Sequence, residues 1–541
     1  MIRLLQAKLK IERTWLLAGC LCLLFIATRQ FTAEFWDNEW AYTLGPLKIL
    51  KVRFLLNDFY LDKVYPYFIV YDTFAAPFYA LFDDLTATLI LRVLIWVFQI
   101  WALLRLLKTL GVRWWGAVLL VVFWLNSEQT LVAGEWIIGC ASSKPVAYGF
   151  AFLSLDNALR NRLRWAGVFC GLAVSFHVVV GAWFSAALAI AVLIAQPRWR
   201  IKDLCQAGLL ALICALPGLA PSVYAELSSG EAAAPGPVGY EIAKLSVLLA
   251  NSWHLDPVYF MSGVEYLKLV LVFAATIWLL RRGLDSKSAR LLTALIVCLA
   301  AFFVAGLLTR YWEWYRVLKY YPFRVADGVI PWAFWLGVVL ALQRMWSQHH
   351  GWRLYAAVLS VPLITGAANV MFKEVLESKP HSWSAVSEQM SHMEPRVTAY
   401  WVRERGKEWY SFLFHRTLSD RDEMEQWVRG HTSEDSIFIT PPWEHSFQLK
   451  AHRSQFVNFG IPVSGKIFEW KRRFEAINRG PLQGVGRELW QEIKTNYPRL
   501  TSEELRNIKN RYPVDYVLMP AGSQLDLKLV HANASYRLYQ F

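Results

Sequence analysis

Apolar runs of about 17–25 residues, the length that crosses a bilayer as a helix, recur from Thr14 to Val370 and then cease. They predict spans at 14–30, 84–104, 114–126, 145–159, 165–180, 182–197, 204–222, 262–280, 291–308, 327–343 and 354–371. Short basic clusters lie between them: the N-terminus, Arg105/Lys108/Arg113, Arg160/Arg162/Arg164, Arg198/Arg200/Lys202, Arg281/Arg282/Lys287/Arg290 and Arg344/Arg353. Such clusters mark the cytoplasmic side of a membrane protein. The pattern is that of a polytopic α-helical membrane protein with about eleven transmembrane helices, its N-terminus inside. Residues 1–371 form the membrane body, and residues 372–541 a C-terminal extracytoplasmic α/β domain. The first run, Trp15–Thr28, shows no small-residue cleavage site and reads as a retained span.

In the tail the periodicity changes. Asp420–Arg429, Lys466–Ile477 and Thr501–Arg511 read as helices, the last opening on a Thr501/Glu504 capping box. Ser436–Thr440, stopped by Pro441-Pro442, reads as a strand and turn; Gln455–Phe459, Asp515–Met519 and Ala534–Phe541 are further strands.

Composition sharpens this picture. The chain is 56% hydrophobic with a mean hydropathy of +0.30, above the roughly 45–50% apolar content of soluble domains. A net charge of +14 could suggest nucleic acid, but the basic residues sit between apolar spans, which excludes it. None of the seven cysteines falls in the tail, so no disulfide framework or Cys-based zinc site arises there. No P-loop, GxGxxG, HExxH or GxSxG pattern is present, which argues against a nucleotide-driven pump, a zinc protease and a serine hydrolase. No internal repeat supports an inverted-repeat transporter.

The candidate chemistry gathers in the predicted external segments. The loop 31–83 is rich in Trp, Tyr and Phe and carries Glu34, Asp37, Glu39, Asp58, Asp62 and Asp72. Asp37 and Glu39 lie two apart between Trp36 and Trp40, and Asp58 lies one helical turn before Asp62. A carboxylate among aromatics near the membrane plane has its pKa raised by desolvation, which suits a base; the plain alternative is a set of solvated interfacial acids. Asp83 and Asp84 read as N-caps of the next span. Arg310–Asp327 holds Arg310, Arg316, Lys319 and Arg324 among aromatics. That many basic residues in a short external loop call for an anionic partner, a lipid phosphate or a headgroup. Lys144 and His177 enter spans from the same side and could face the same cleft. His254 and Asp256 are possible metal ligands beside the first-loop acids.

In this order and topology, Asn57-Asp58-Phe59, His177, Tyr321–Arg324 and Thr440–Pro442 resemble an uncharacterised bacterial branch of the GT-C superfamily of membrane glycosyltransferases. The resemblance implies a GT-C-like body and a polyprenyl-phosphate-linked sugar donor. The first-loop acid would act as base or metal ligand. Carried over, that role falls on Asp37, Glu39 or Asp58, with Mg or Mn possible at Asp37 and Asp58. Lys144, His177, Arg316, Lys319 and Arg324 become substrate-binding residues. This sequence departs from the pattern in having Asn38 between two acids and no proline after His177. The implied activity is an inverting glycosyltransferase of a bacterial inner membrane. It would pass a sugar to an extracytoplasmic glycan, lipid or protein acceptor. A non-catalytic polysaccharide export component, a lipid-linked glycan flippase, and a ligase or polymerase of lipid-linked glycans are the rival readings.

Overall fold

The computed structural model describes residues 2–32, 34–36, 38–51, 53–61, 66–127, 129–195, 201–228, 236–261, 263–347, 419–444, 446–460 and 466–541. Asp37, Asp62, the predicted span 354–371 and the predicted boundary after residue 371 lie outside them.

The apolar runs become helices. In chain order these are α1 Ile2–Gln30, α2 Glu39–Leu50, α3 Ile69–Leu81, α4 Asp84–Thr109, α5 Trp114–Asn126, α6 Ser143–Leu159, α7 Leu163–Phe176 and α8 Val178–Ala195. They continue with α9 Ile201–Ser228, α10 Pro237–Leu245, α11 Ser252–Leu255, α12 Pro257–Phe260, α13 Gly263–Gly283, α14 Ser286–Tyr311, α15 Tyr315–Leu318 and α16 Arg324–Ser347. Every predicted span up to residue 343 coincides with one of them. Among the described residues six (α4, α8, α9, α13, α14 and α16) are long and apolar enough to cross a bilayer by length and composition. Asp83 caps α4, its Oδ1 accepting from the Thr86 amide at 3.1 Å.

Two expectations change. The segment 31–83 is largely helical rather than an open loop, because α2 and α3 pack on each other within it. The break between the spans predicted at 165–180 and 182–197 falls at His177, so that Gly181 already lies in α8.

Close helix packing explains α7 and α9. Gly167 and Gly171 stand one turn apart on α7. A Cβ at either would collide with the carbonyl oxygen of Ala207 or Ala211 on α9. Small residues at this spacing let two backbones approach within a membrane. Helix α6 is buried along almost its whole length, packed chiefly against α4, α7 and α8.

The tail forms α17 Asp420–His431, β1 Ile437–Ile439, α18 Phe447–Ala451, β2 Ser454–Gln455, α19 Ile467–Ile477, α20 Arg487–Asn496, α21 Ser502–Arg511, β3 Tyr516–Pro520, β4 Lys528–Ala532 and β5 Tyr536–Gln540. The sheet order is β2-β1-β3-β5-β4; β1 runs parallel to both β2 and β3, and β5 antiparallel to β3 and β4. The capping box predicted at Thr501 and Glu504 is present, and Ser419 with Asp422 makes a second one at α17.

Candidate functional site

The site starts from Asp327, in the first turn of α16. Its Oδ1 accepts from the backbone amides of Leu131, Val132 and Ala133 at 3.1, 2.7 and 3.1 Å. Its Oδ2 accepts from the Glu135 amide at 2.9 Å and from the Thr130 hydroxyl. One buried carboxylate therefore shapes the segment between α5 and α6 and fixes the direction of Glu135.

Glu135 is buried and draws three side chains to itself. Arg324 Nε stands 3.3 Å from Oε2, Lys144 Nζ stands 3.5 Å from the same oxygen, and the Tyr148 hydroxyl donates to Oε1 at 3.0 Å. His177 Nε2 lies 3.4 Å from Arg324 Nη1. Aromatic faces wall the cluster: Lys144 sits 3.6 Å from the Trp136 ring centre, Arg324 4.1 Å from that of Tyr321, and Phe68 packs 5.7 Å from His177. Trp36 stacks on Trp136, bringing the first loop to the same wall. His254 Nδ1 lies 2.7 Å from the Ala133 carbonyl. Burial first, and then the nearby Arg324 charge, push the His254 pKa down to about 3.

Three of the residues picked out by sequence, Lys144, His177 and Arg324, thus meet in one place. Arg316 and Lys319 do not join them. Arg316 donates to the Gly236 carbonyl at 3.1 Å, and Lys319 pairs with Glu226, which also accepts from the Tyr67 hydroxyl at 3.0 Å. The chain turns between the two groups at Tyr321, whose φ is 55°.

The first-loop acids occupy separate environments. Glu39 is fully buried against Arg92. Its Oε1 accepts from Arg92 Nε at 2.7 Å and from the Ala141 amide at 2.6 Å; its Oε2 accepts from the Trp36 amide at 2.8 Å and from Arg92 Nη2. Asp58 is buried beneath the tail domain. Its Oδ1 accepts from the amides of Tyr60 and Leu61 at 2.8 and 3.1 Å, and its Oδ2 from Gln448 Nε2 and the Gln455 amide at 2.7 and 2.9 Å. Burial nonetheless raises its pKa. Asp72, on α3, is buried with its carboxylate against Gly45 of α2, and burial holds its pKa well above the usual carboxylate range. The Tyr42 phenol feels the charges of both Arg324 and Asp72.

For a divalent metal the described residues offer little. No three His, Cys, Asp or Glu side chains converge among them. A carboxylate has about four lone-pair directions, and at Asp58 four N–H donors already use them. Asp256 is engaged with Arg310 at 2.8 Å. Asp37, the acid expected beside Asp58 at such a site, lies outside the described residues.

Sequence reasoning gave no role to Glu135 or Tyr148. The available signal was an acid nine residues before Lys144 in an otherwise uncharged segment.

Comparison with known proteins places the fold. Residues 419–477 match a family described as a domain of unknown function (DUF6798). No curated protein sequence matches the chain. Among solved structures, ArnT from Cupriavidus metallidurans in the apo state superposes with a TM-score of 0.51 at 12% identity, covering 99% of this chain and 98% of that one. The arabinofuranosyltransferase AftD from Mycobacteria superposes with a TM-score of 0.52 at 12% identity; 98% of this chain is covered, but it spans only 41% of AftD. The architecture is the GT-C fold of polytopic membrane proteins.

Proposed function

We propose that this chain is a glycosyltransferase of a bacterial inner membrane. It takes a sugar from a polyprenyl-phosphate donor and passes it to an extracytoplasmic acceptor, an envelope glycan, lipid or protein. The observation that carries the reading is the convergence of Arg324 and Lys144 on Glu135, with His177 against Arg324. Arg presents a fork that matches phosphate oxygens, and an ammonium beside it adds a second donor. ArnT, whose fold the chain shares, has also been solved bound to undecaprenyl phosphate, a ligand of the proposed donor class.

In the proposed reaction the bond between the sugar C1 and the phosphate oxygen breaks as the acceptor oxygen bonds to C1 from the opposite face, inverting the centre. The electron pair of the broken bond stays on the phosphate, where Arg324 and Lys144 stabilise the charge that develops. The acceptor proton passes to a first-loop carboxylate acting as base. Glu39 and Asp58 hold N–H donors on both oxygens, so within this proposal they are structural acids. The base is then Asp37, or Asp72, which no hydrogen bond engages among the described residues. Burial raises the Asp72 pKa, and a raised pKa makes a carboxylate a stronger base.

The test is mass spectrometry of envelope glycans in a deletion strain complemented with wild type, Asp37→Asn, Asp72→Asn or Arg324→Ala, at matched protein levels. The reading expects one sugar to vanish in the deletion and with Arg324→Ala, and with one of the two Asn variants. A sugar restored by all three variants would favour a non-catalytic export or scaffold role.

A further inference from the structure

We propose that residues 419–477, the segment matched as a domain of unknown function, are a receptor for the first interhelical loop, recognising the turn Asn57–Tyr60. This does not depend on the transferase reading and stands if that reading fails. Four successive loop residues meet the segment. Asn57 Nδ2 donates to the Asp435 carbonyl at 3.0 Å; Asp58 Oδ2 accepts from Gln448 Nε2 and the Gln455 amide; Lys466 Nζ donates to the Phe59 carbonyl at 2.7 Å. The Tyr60 hydroxyl donates to the Asn458 carbonyl at 2.6 Å and accepts from the Asn458 amide at 3.2 Å. A second contact grips the start of α4, where His452 Nε2 stands 3.1 Å from Asp84 Oδ2. Every tail partner named here, from Asp435 to Lys466, lies inside 419–477.

The receptor side is built for a carboxylate. Asn458 Nδ2 donates to Gln448 Oε1 at 3.1 Å and to Gln455 Oε1 at 2.9 Å, so three buried polar side chains orient one another. What they leave pointing outward is the Gln448 amide N–H and the Gln455 backbone N–H, both aimed at Asp58. Without the loop these two donors would lose their acceptor, while the Asn458 carbonyl would keep only the Trp470 indole N–H at 3.3 Å. The turn is equally matched. Asp58 Oδ1 closes it on the Tyr60 and Leu61 amides, an Asx-type turn. It presents the Phe59 ring to Arg473, whose guanidinium carbon lies 4.3 Å from the ring centre. The partner chemistry is therefore specific: an acid, then an aromatic ring, then a phenol.

Hydrogen–deuterium exchange on the full chain in lipid nanodiscs tests this. In the wild type, segments 55–61 and 447–458 should exchange slowly. Asp58→Ala should speed both together, by about tenfold or more, while β3 and the spans keep their protection. Tyr60→Phe, which keeps the ring and removes only the hydroxyl, should do the same to a smaller degree and decides the matter if the first variant does not fold. The proposal is overturned if either folded variant loosens 55–61 and leaves 447–458 at its wild-type rate.

Discussion

Arg92 and Glu39 form an ion pair with no side-chain exposure on either partner. Arg92 belongs to α4, a membrane-spanning helix, and Glu39 to the first turn of α2. Arg92 also donates to the carbonyls of Thr32 and Glu34 at 2.5 and 2.8 Å, so one guanidinium ties the start of the loop to the bundle. Removing one partner of a buried pair leaves the other charge stranded, which costs about 3–5 kcal/mol. Glu39→Ala and Arg92→Ala are each expected to lower the thermal stability of purified protein sharply. The double change should be less severe than the sum of the two. Additive losses would show that the two side chains do not act as a unit.

Arg324→Ala should lower kcat/KM for the lipid-linked donor by about 10–100-fold, the worth of a charge-assisted hydrogen bond. Arg324→Lys should recover only part, because an ammonium lacks the planar fork. Arg316→Ala and Lys319→Ala, whose side chains lie with Gly236 and Glu226, should leave donor KM unchanged. Kinetics with a synthetic polyprenyl-phosphate sugar would separate the two pairs.

His254 supplies a pH dependence of stability with a defined sign. Its folded pKa is pushed down to about 3 from an ordinary 6.5. The unfolded chain therefore takes up a proton below about pH 6.5 that the folded chain refuses. Its stabilising contribution is complete above that pH and is lost as pH falls toward 3, by about 1.4 kcal/mol per unit at most. His254→Gln should remove this component, so that the wild-type melting temperature falls relative to the variant's as the pH is lowered. Melting curves from pH 7 to pH 4 would show it; parallel curves would refute it.

Gly171→Leu should disrupt the membrane body, because its side chain would meet the α9 backbone at Ala211. Overpacking of this kind costs about 1–3 kcal/mol or more. Gly208→Ala, on the same pair of helices but facing open space, should be tolerated or slightly stabilising, by up to about 1 kcal/mol. The yield of monodisperse protein after detergent extraction distinguishes the two.

The helical body was legible because long apolar runs report burial in lipid without reference to any distant residue. The same held for α17, α19 and α21, where amphipathic spacing and a cap coincide. β4 was missed because its residues, Lys528–Ala532, are mostly exposed or half-exposed and show no alternation. α20 was missed behind the Gly-rich stretch that precedes it. In the site, Lys144, His177 and Arg324 could be singled out from charge in an apolar setting. Which acid each cation meets could not. Glu39 finds Arg92 and Asp58 finds Gln448 across long stretches of chain, and only packing decides such pairs. Arg316, Lys319 and Arg324 looked like one cluster by proximity in sequence; the left-handed turn at Tyr321 separates them.

The Asp327 carboxylate has a consequence for how the protein comes into being. The segment 130–135 is drawn into shape by a residue almost two hundred positions later. While the ribosome is still threading the early helices into the membrane, the Glu135 amide has only the Thr130 hydroxyl to hold it, and Arg324 has not been made. The cleft is assembled by its last arrival: a nascent chain stopped before α16 would carry most of the spans, with Lys144 and His177, but neither the guanidinium nor the carboxylate that draws the cluster together.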